Sequence, residues 1–130
     1  MTRVDEIVLT LPRERTFYGV AHLVLGGIAA RQNLTFEHLE DLQLALDSLF
    51  AQQDEEGDIT LKVRISNGAI EAEVGPFAES LRTDLERGEA TDVGLRRILD
   101  TVVDRIDVGE ENGSTWVTLT KNVDDSAAVS

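Results

Sequence analysis

The sequence predicts an α+β fold, a two-layer α/β sandwich in which three main helices cover one face of a mixed five-stranded sheet. Three observations predict it. Two runs of alternating apolar residues each turn back at an Asn-Gly dipeptide, Asn67-Gly68 and Asn112-Gly113, which suits the positive φ angles of a two-residue hairpin turn. Three other stretches space their apolar residues by threes and fours, the period of a helix with one buried face. The elements run strand, helix, helix, hairpin, polar segment, helix, hairpin, and their apolar faces must be buried against one another.

The first strand is read from Ile7, Leu9 and Leu11, which alternate up to Pro12, a residue that cannot continue a hydrogen-bonded ladder. A helix follows, with Phe17, Val20, Ala21, Val24, Leu25 and Ile28 as its core stripe. Gly26 and Gly27 interrupt it. Glycine in a helix costs roughly 1 kcal/mol relative to alanine, so close approach of another backbone is the expected compensation. The second helix begins at Thr35, a capping residue whose third successor, His38, lacks the carboxylate of a full capping box. Its stripe is Leu39, Leu42, Leu46, Leu49, Phe50 and Gln53, and Asp54-Glu55-Glu56-Gly57 closes it.

The first hairpin specifies its own register. A two-residue loop at Asn67-Gly68 sets Ile65 opposite Ile70, Val63 opposite Ala72 and Leu61 opposite Val74. On the other face, Arg64 then meets Glu71 and Lys62 meets Glu73. The same logic at Asn112-Gly113 pairs Val108 with Val117 and Ile106 with Leu119. Between the hairpins, residues 78–90 are polar apart from Leu81 and Leu85 and read as a loosely attached helix or lid. A helix with Leu95, Ile98, Leu99, Val102, Val103 and Ile106 in its stripe follows, with Thr91 or Asp92 as capping candidate. The outward sheet face carries Val8, Thr10, Lys62, Arg64, Glu71, Glu73, Trp116 and Thr118, the mostly polar set that a half-exposed sheet requires. Residues 1–123 are assigned to one domain, and the acidic residues 124–130 to a disordered tail.

Composition excludes several function classes. The 130 residues hold no cysteine, so disulfides, thiolate metal sites and cysteine nucleophiles are absent. Twenty-five acidic residues against twelve basic ones give a net charge of -13, which repels phosphate backbones and argues against direct binding of nucleic acid. The acidity serves solubility and favours encounter with a basic protein partner. No apolar run approaches the ~20 residues of a membrane span, and no signal peptide opens the chain, so the expected location is the cytoplasm. His22 and His38 stand without a cysteine or second histidine at metal spacing, and no serine or threonine sits in a nucleophile motif.

Roughly residues 6 to 122 nevertheless follow a known order: a strand ending Leu11-Pro12, then Glu40-Asp41-Leu42-Gln43-Leu44-Ala45-Leu46, the Asn67-Gly68 hairpin, Val93-Gly94-Leu95 through Ile98-Leu99-Asp100, and Gly113-Ser114-Thr115-Trp116-Val117-Thr118-Leu119-Thr120-Lys121. In this the chain resembles the anti-sigma-factor serine kinases, which share the GHKL ATPase fold of histidine kinases and gyrase. The resemblance implies a site for ATP and magnesium between the helices and a lid. It implies as partners a sigma factor, which is held, or an anti-anti-sigma protein, which is phosphorylated on serine.

The departures fall on that nucleotide site. The position of the general-base glutamate is Ser48, and the neighbouring Asp47 is turned about 100° around the helix. The magnesium-binding asparagine is matched by Gln52, one methylene longer, for a cation that demands near-ideal octahedral geometry. The adenine-reading Asp-x-Gly-x-Gly-Phe run is replaced by Val74-Gly75-Pro76-Phe77. The glycine-rich phosphate turn is reduced to Gly94, followed by Leu95-Arg96-Arg97, and both arginines are read as solvated helix residues. No residue is therefore assigned a catalytic, cofactor-binding or metal-ligating role. The leading reading is an anti-sigma-type protein-binding module of a partner-switching pathway, defective in ATP binding and phosphotransfer. The alternative is an active serine kinase that uses Asp47 and tolerates Gln52. A third reading is a structural partner that forms a homodimer or pairs with another kinase-like chain.

Overall fold

The computed structural model describes residues 5–32, 34–51, 57–66, 68–87 and 94–122. Strand β1 (Asp5–Pro12) leads through a short 3-10 turn (Arg15–Phe17) into helices α1 (Tyr18–Gln32) and α2 (Phe36–Phe50). Hairpin β2 (Asp58–Ser66) and β3 (Ala69–Phe77) follows, then α3 (Glu79–Arg87) and α4 (Leu95–Val102), then hairpin β4 (Arg105–Glu111) and β5 (Ser114–Asn122).

The five strands form one sheet in the order β1-β2-β3-β5-β4, and every neighbouring pair is antiparallel. The expectation of a mixed sheet is thereby corrected. The chain crosses from β3 through α3 and α4 to the far edge before β4 begins, so the returning strand β5 fills the gap and runs opposite to both neighbours. Both hairpin registers are as read from sequence: Ile65 faces Ile70 and Leu61 faces Val74 in one, Val108 faces Val117 and Ile106 faces Leu119 in the other. At the second turn Asn112 and Gly113 both have positive φ, 54° and 81°, as a type I′ turn requires. At the first, Gly68 has φ 78°, while Asn67 lies outside the described residues.

One sheet face supplies Ile59, Leu61, Val63, Ile65, Ile70, Ala72, Val74, Val117 and Leu119 to the core, and the helices supply Ala21, Leu25, Ile28, Leu42, Ala45, Leu46, Leu49, Phe50, Leu81, Leu85 and Leu99. Two helix assignments change in detail. In α1 the buried set is Ala21, Leu25, Ile28 and Ala29, while Phe17 and Val20 are exposed. The stripe is rotated because α1 is apolar nearly all round, and its sequence carries almost no signal for which side faces inward. A side chain at Gly26 or Gly27 would meet nothing within 4 Å, so the expected close backbone approach is absent among the described residues. In α4 the N-cap position is Gly94, without a side-chain cap, and Ile98 is exposed. Thr91, Asp92, Gln53 and residues 54–56 lie outside the described residues, as does 124–130. The polar segment after β3 is a fourth helix rather than a loose lid over residues 79–87, because Leu81 and Leu85, four apart, are both buried in the common core.

Candidate functional site

The site begins at the start of α2. The Thr35 hydroxyl accepts a hydrogen bond from the His38 amide at 3.0 Å and fixes the first turn. Burial of Leu42, Ala45, Leu46, Leu49 and Phe50 then sets the rotation of α2 and turns Asp47 outward. Phe50 stacks on Tyr18 of α1 with ring centroids 4.5 Å apart. Burial raises the Tyr18 pKa, against the opposing charges of Arg13 and Arg15.

At the two acid positions the structure is specific. The Ser48 hydroxyl donates to the Leu44 carbonyl at 2.8 Å, so it is folded back on its own helix. Asp47 Oδ1 accepts from Nε2 of His22 at 2.7 Å, which joins α2 to α1. Asp47, the substitute base of the kinase reading, thus has one carboxylate oxygen on His22 and stays half-exposed. His22 is the residue that sequence reasoning passed over. Its partner is 25 positions away, and no local pattern marks the pair.

The segment in place of the adenine-reading run is filled by the protein's own groups. Phe77 is buried in the core, the Arg13 guanidinium donates to the Pro76 carbonyl, and Arg13 also lies 5.9 Å from the Phe77 ring centroid. Gly75 is covered by Trp116, whose ring would lie 2.5 Å from any Cβ placed there. At the reduced phosphate turn, Arg96 is bound to both carboxylate oxygens of Asp100 at 3.2 Å and reaches the Leu85 carbonyl at 3.5 Å. It ties α4 to α3. Arg97 is solvent-exposed, as expected. Gln52 lies outside the described residues, and among those described no group of three or more metal-ligating side chains converges. At the positions where the fold family holds ATP and magnesium, Ser48 has no carboxylate, Asp47 is hydrogen-bonded to His22 and Arg96 is held by Asp100.

The structure also joins two ends of the family-like pattern. Lys121, at the end of β5, donates to Asp41 Oδ2 of α2 at 2.9 Å and to the Val102 carbonyl of α4 at 3.0 Å. One ammonium therefore fastens two helices to the sheet.

The architecture is a GHKL-type α+β fold. The particular relatives are the RsbW serine-protein kinases, to which the chain is homologous over most of its length. It is 26% identical to that of Bacillus velezensis over 144 residues, covering 92% of this chain and 87% of the relative. Against the Listeria monocytogenes protein it is 26% identical over 147 residues, covering 95% and 91%. Against that of Bacillus subtilis it is 23% identical over 141 residues, covering 90% and 85%. Among solved structures, the chain superimposes on the RsbU and RsbW domains of Rv1364c from Mycobacterium tuberculosis with a TM-score of 0.67 at 15% identity. The match covers 92% of this chain and 32% of that longer one, and it shows the shared fold. No family model matches the sequence. Among the described residues, no helix is long and apolar enough to cross a membrane.

Proposed function

We propose that this protein is a regulatory binding module of the anti-sigma type in a partner-switching pathway, which holds a sigma factor or an anti-anti-sigma protein without binding or hydrolysing ATP. The observation that carries the reading is the state of the base position: the Ser48 hydroxyl donates to the Leu44 carbonyl while the neighbouring Asp47 carboxylate is held by His22. A group that must take a proton from a substrate hydroxyl has to be a carboxylate or imidazole within hydrogen-bond reach, and Ser48 is neither.

The helical layer supports a protein partner. Leu23 is 77% exposed, Phe36 74% and Leu44 48%. Leu44 lies one turn before Asp47, the residue through which α2 is hydrogen-bonded to α1. Exposed apolar side chains on the helical layer give a protein partner apolar area to bury. Homodimerisation is one use of this surface, and capture of a regulator is the one favoured here. The chain acts in the cytoplasm on this reading.

The test is titration with magnesium-ATP, followed by heat flow and by melting temperature. A ligand that binds only the folded state must stabilise it, by about 2.7 kcal/mol at one hundred times its Kd. The expected result is no saturable heat and an unchanged melting temperature. Saturable binding with a matching rise in melting temperature would restore the active-kinase reading.

A further inference from the structure

The face of the sheet turned away from the helices carries a groove at its β4 edge. Among the described residues strand β4 is the edge of the sheet and pairs only with β5, so one side of its backbone has no strand partner there. Beside it runs a shallow groove lined by Glu73, Asp107, Gly109, Glu110, Glu111 and Trp116. Its origin is a single position. Gly109 stands directly opposite Trp116 in the β4–β5 ladder, and a Cβ there would meet nothing within 4 Å, so the flank of the indole toward β4 is left open.

The chemistry of the walls favours a cation. The Trp116 ring already has one ammonium, that of Lys62, 5.2 Å from its centroid, the arrangement in which an indole attracts positive charge. Of the four carboxylates, two are balanced. Glu73 lies 3.6 Å from Arg64, and Asp107 is paired with Arg105 at 2.9 Å. Burial alone would lower the Arg64 pKa, but its hydrogen bond to Glu71, the charges of Glu73 and Glu71 and its hydrogen bond to Glu6 outweigh that and raise it, so its positive charge is fixed. Glu111, on the same face of β4 as Gly109, has no ion pair among the described residues and is exposed, whereas Glu110 alternates to the other face, opposite Thr115. A second copy of this chain, with net charge -13, would bring like charges to the groove.

We propose that the free edge of β4 and the groove beside Trp116 form a docking site for an extended basic polypeptide segment, which adds as a sixth strand and places a lysine or arginine side chain between the indole and the carboxylate of Glu111. Strand addition supplies the main-chain hydrogen bonds, and side-chain pockets at alternate positions supply selectivity. Acidic side chains at the rim speed and select the encounter. The site stands apart from α2, and it is independent of whether the protein binds nucleotide.

Trp116 is the sole tryptophan, so its emission reports on this groove alone. The full chain is titrated at low salt with an octapeptide alternating lysine and threonine, with the glutamate-threonine octapeptide and spermine as controls. The lysine peptide is expected to change Trp116 emission saturably, and binding should weaken about tenfold with Gly109→Val, which fills the groove in a conformation that β-branched residues favour. Glu111→Gln should weaken it about threefold, whereas Glu37→Gln, an equal loss of charge on α2, should leave it unchanged. Far-ultraviolet circular dichroism establishes that the variants are folded. The proposal is overturned if no saturable signal appears, if both glutamine variants weaken binding equally, or if spermine binds as well as the peptide.

Discussion

Replacing Asp41 by alanine isolates the one ammonium that fastens α2 and α4 to the sheet. Lys121 and Asp41 retain only 14% and 27% side-chain exposure, with Nζ 2.9 Å from Oδ2. Removing one partner of a fully buried pair costs about 3–5 kcal/mol, and losing a hydrogen bond to a charged group costs about 1.5–3 kcal/mol. Lys121 keeps its bond to the Val102 carbonyl, 3.0 Å away, and some contact with water, so the lower range applies. Alanine also returns about 0.5 kcal/mol of helix propensity. The expected net loss is about 1.5 kcal/mol for Asp41→Ala and about 1 kcal/mol for Lys121→Met, whose aliphatic stem still packs and whose orphaned carboxylate is the more hydrated partner. The two changes share one contact, so the double variant should lose about 1 kcal/mol less than their sum. Urea unfolding monitored by circular dichroism measures all three, with an unchanged m-value as the sign that only stability has moved. The coupling should survive 1 M salt, since ions do not enter between groups in direct contact, whereas a solvent-exposed i,i+4 pair such as Arg82–Glu86 is largely screened there. A double-mutant coupling near zero, or an Asp41→Ala variant as stable as the parent, would refute the reasoning.

Two further outcomes are expected. Gly75→Ala puts a Cβ 2.5 Å from the Trp116 ring, which should destabilise by about 1–3 kcal/mol as overpacking does and shift Trp116 emission, while Trp116→Ala introduced alongside should recover most of the loss. Tyr18 is the single tyrosine, and its pKa is raised by burial above the ordinary 10.0. The folded state then holds the phenol proton more tightly than the unfolded state. This contribution is fully present below the unfolded pKa and is lost as pH rises through the folded value, so ultraviolet titration should show tyrosinate forming at higher pH in the native protein than in urea.

Much of the fold was legible because its signals are local. An Asn-Gly dipeptide fixes a turn, the turn fixes the register, and period-two alternation fixes which face is buried, so Ile65–Ile70 and Val108–Val117 followed from neighbours in sequence. The same holds for Thr35 as a cap and for the leucine stripe of α2. Helix α1 was legible only as a helix, since a segment apolar on every side cannot announce its inward face. The nucleotide site was legible as substitutions, Ser48 and Val74-Gly75-Pro76-Phe77, while the contacts that those residues make instead were not.

By itself, then, the chain determined its strands, its helices, the pairing within each hairpin and the side chains at the positions of the family's site. Tertiary structure decided that β5 lies between β3 and β4, that Leu81 and Leu85 anchor α3 in the core, that His22 holds Asp47 and that Lys121 reaches Asp41. The division has one physical reason. Turn chemistry and periodicity act over a few residues, whereas an ion pair spanning 80 positions, or the choice of which strand fills a gap, exists only once the core has closed around it.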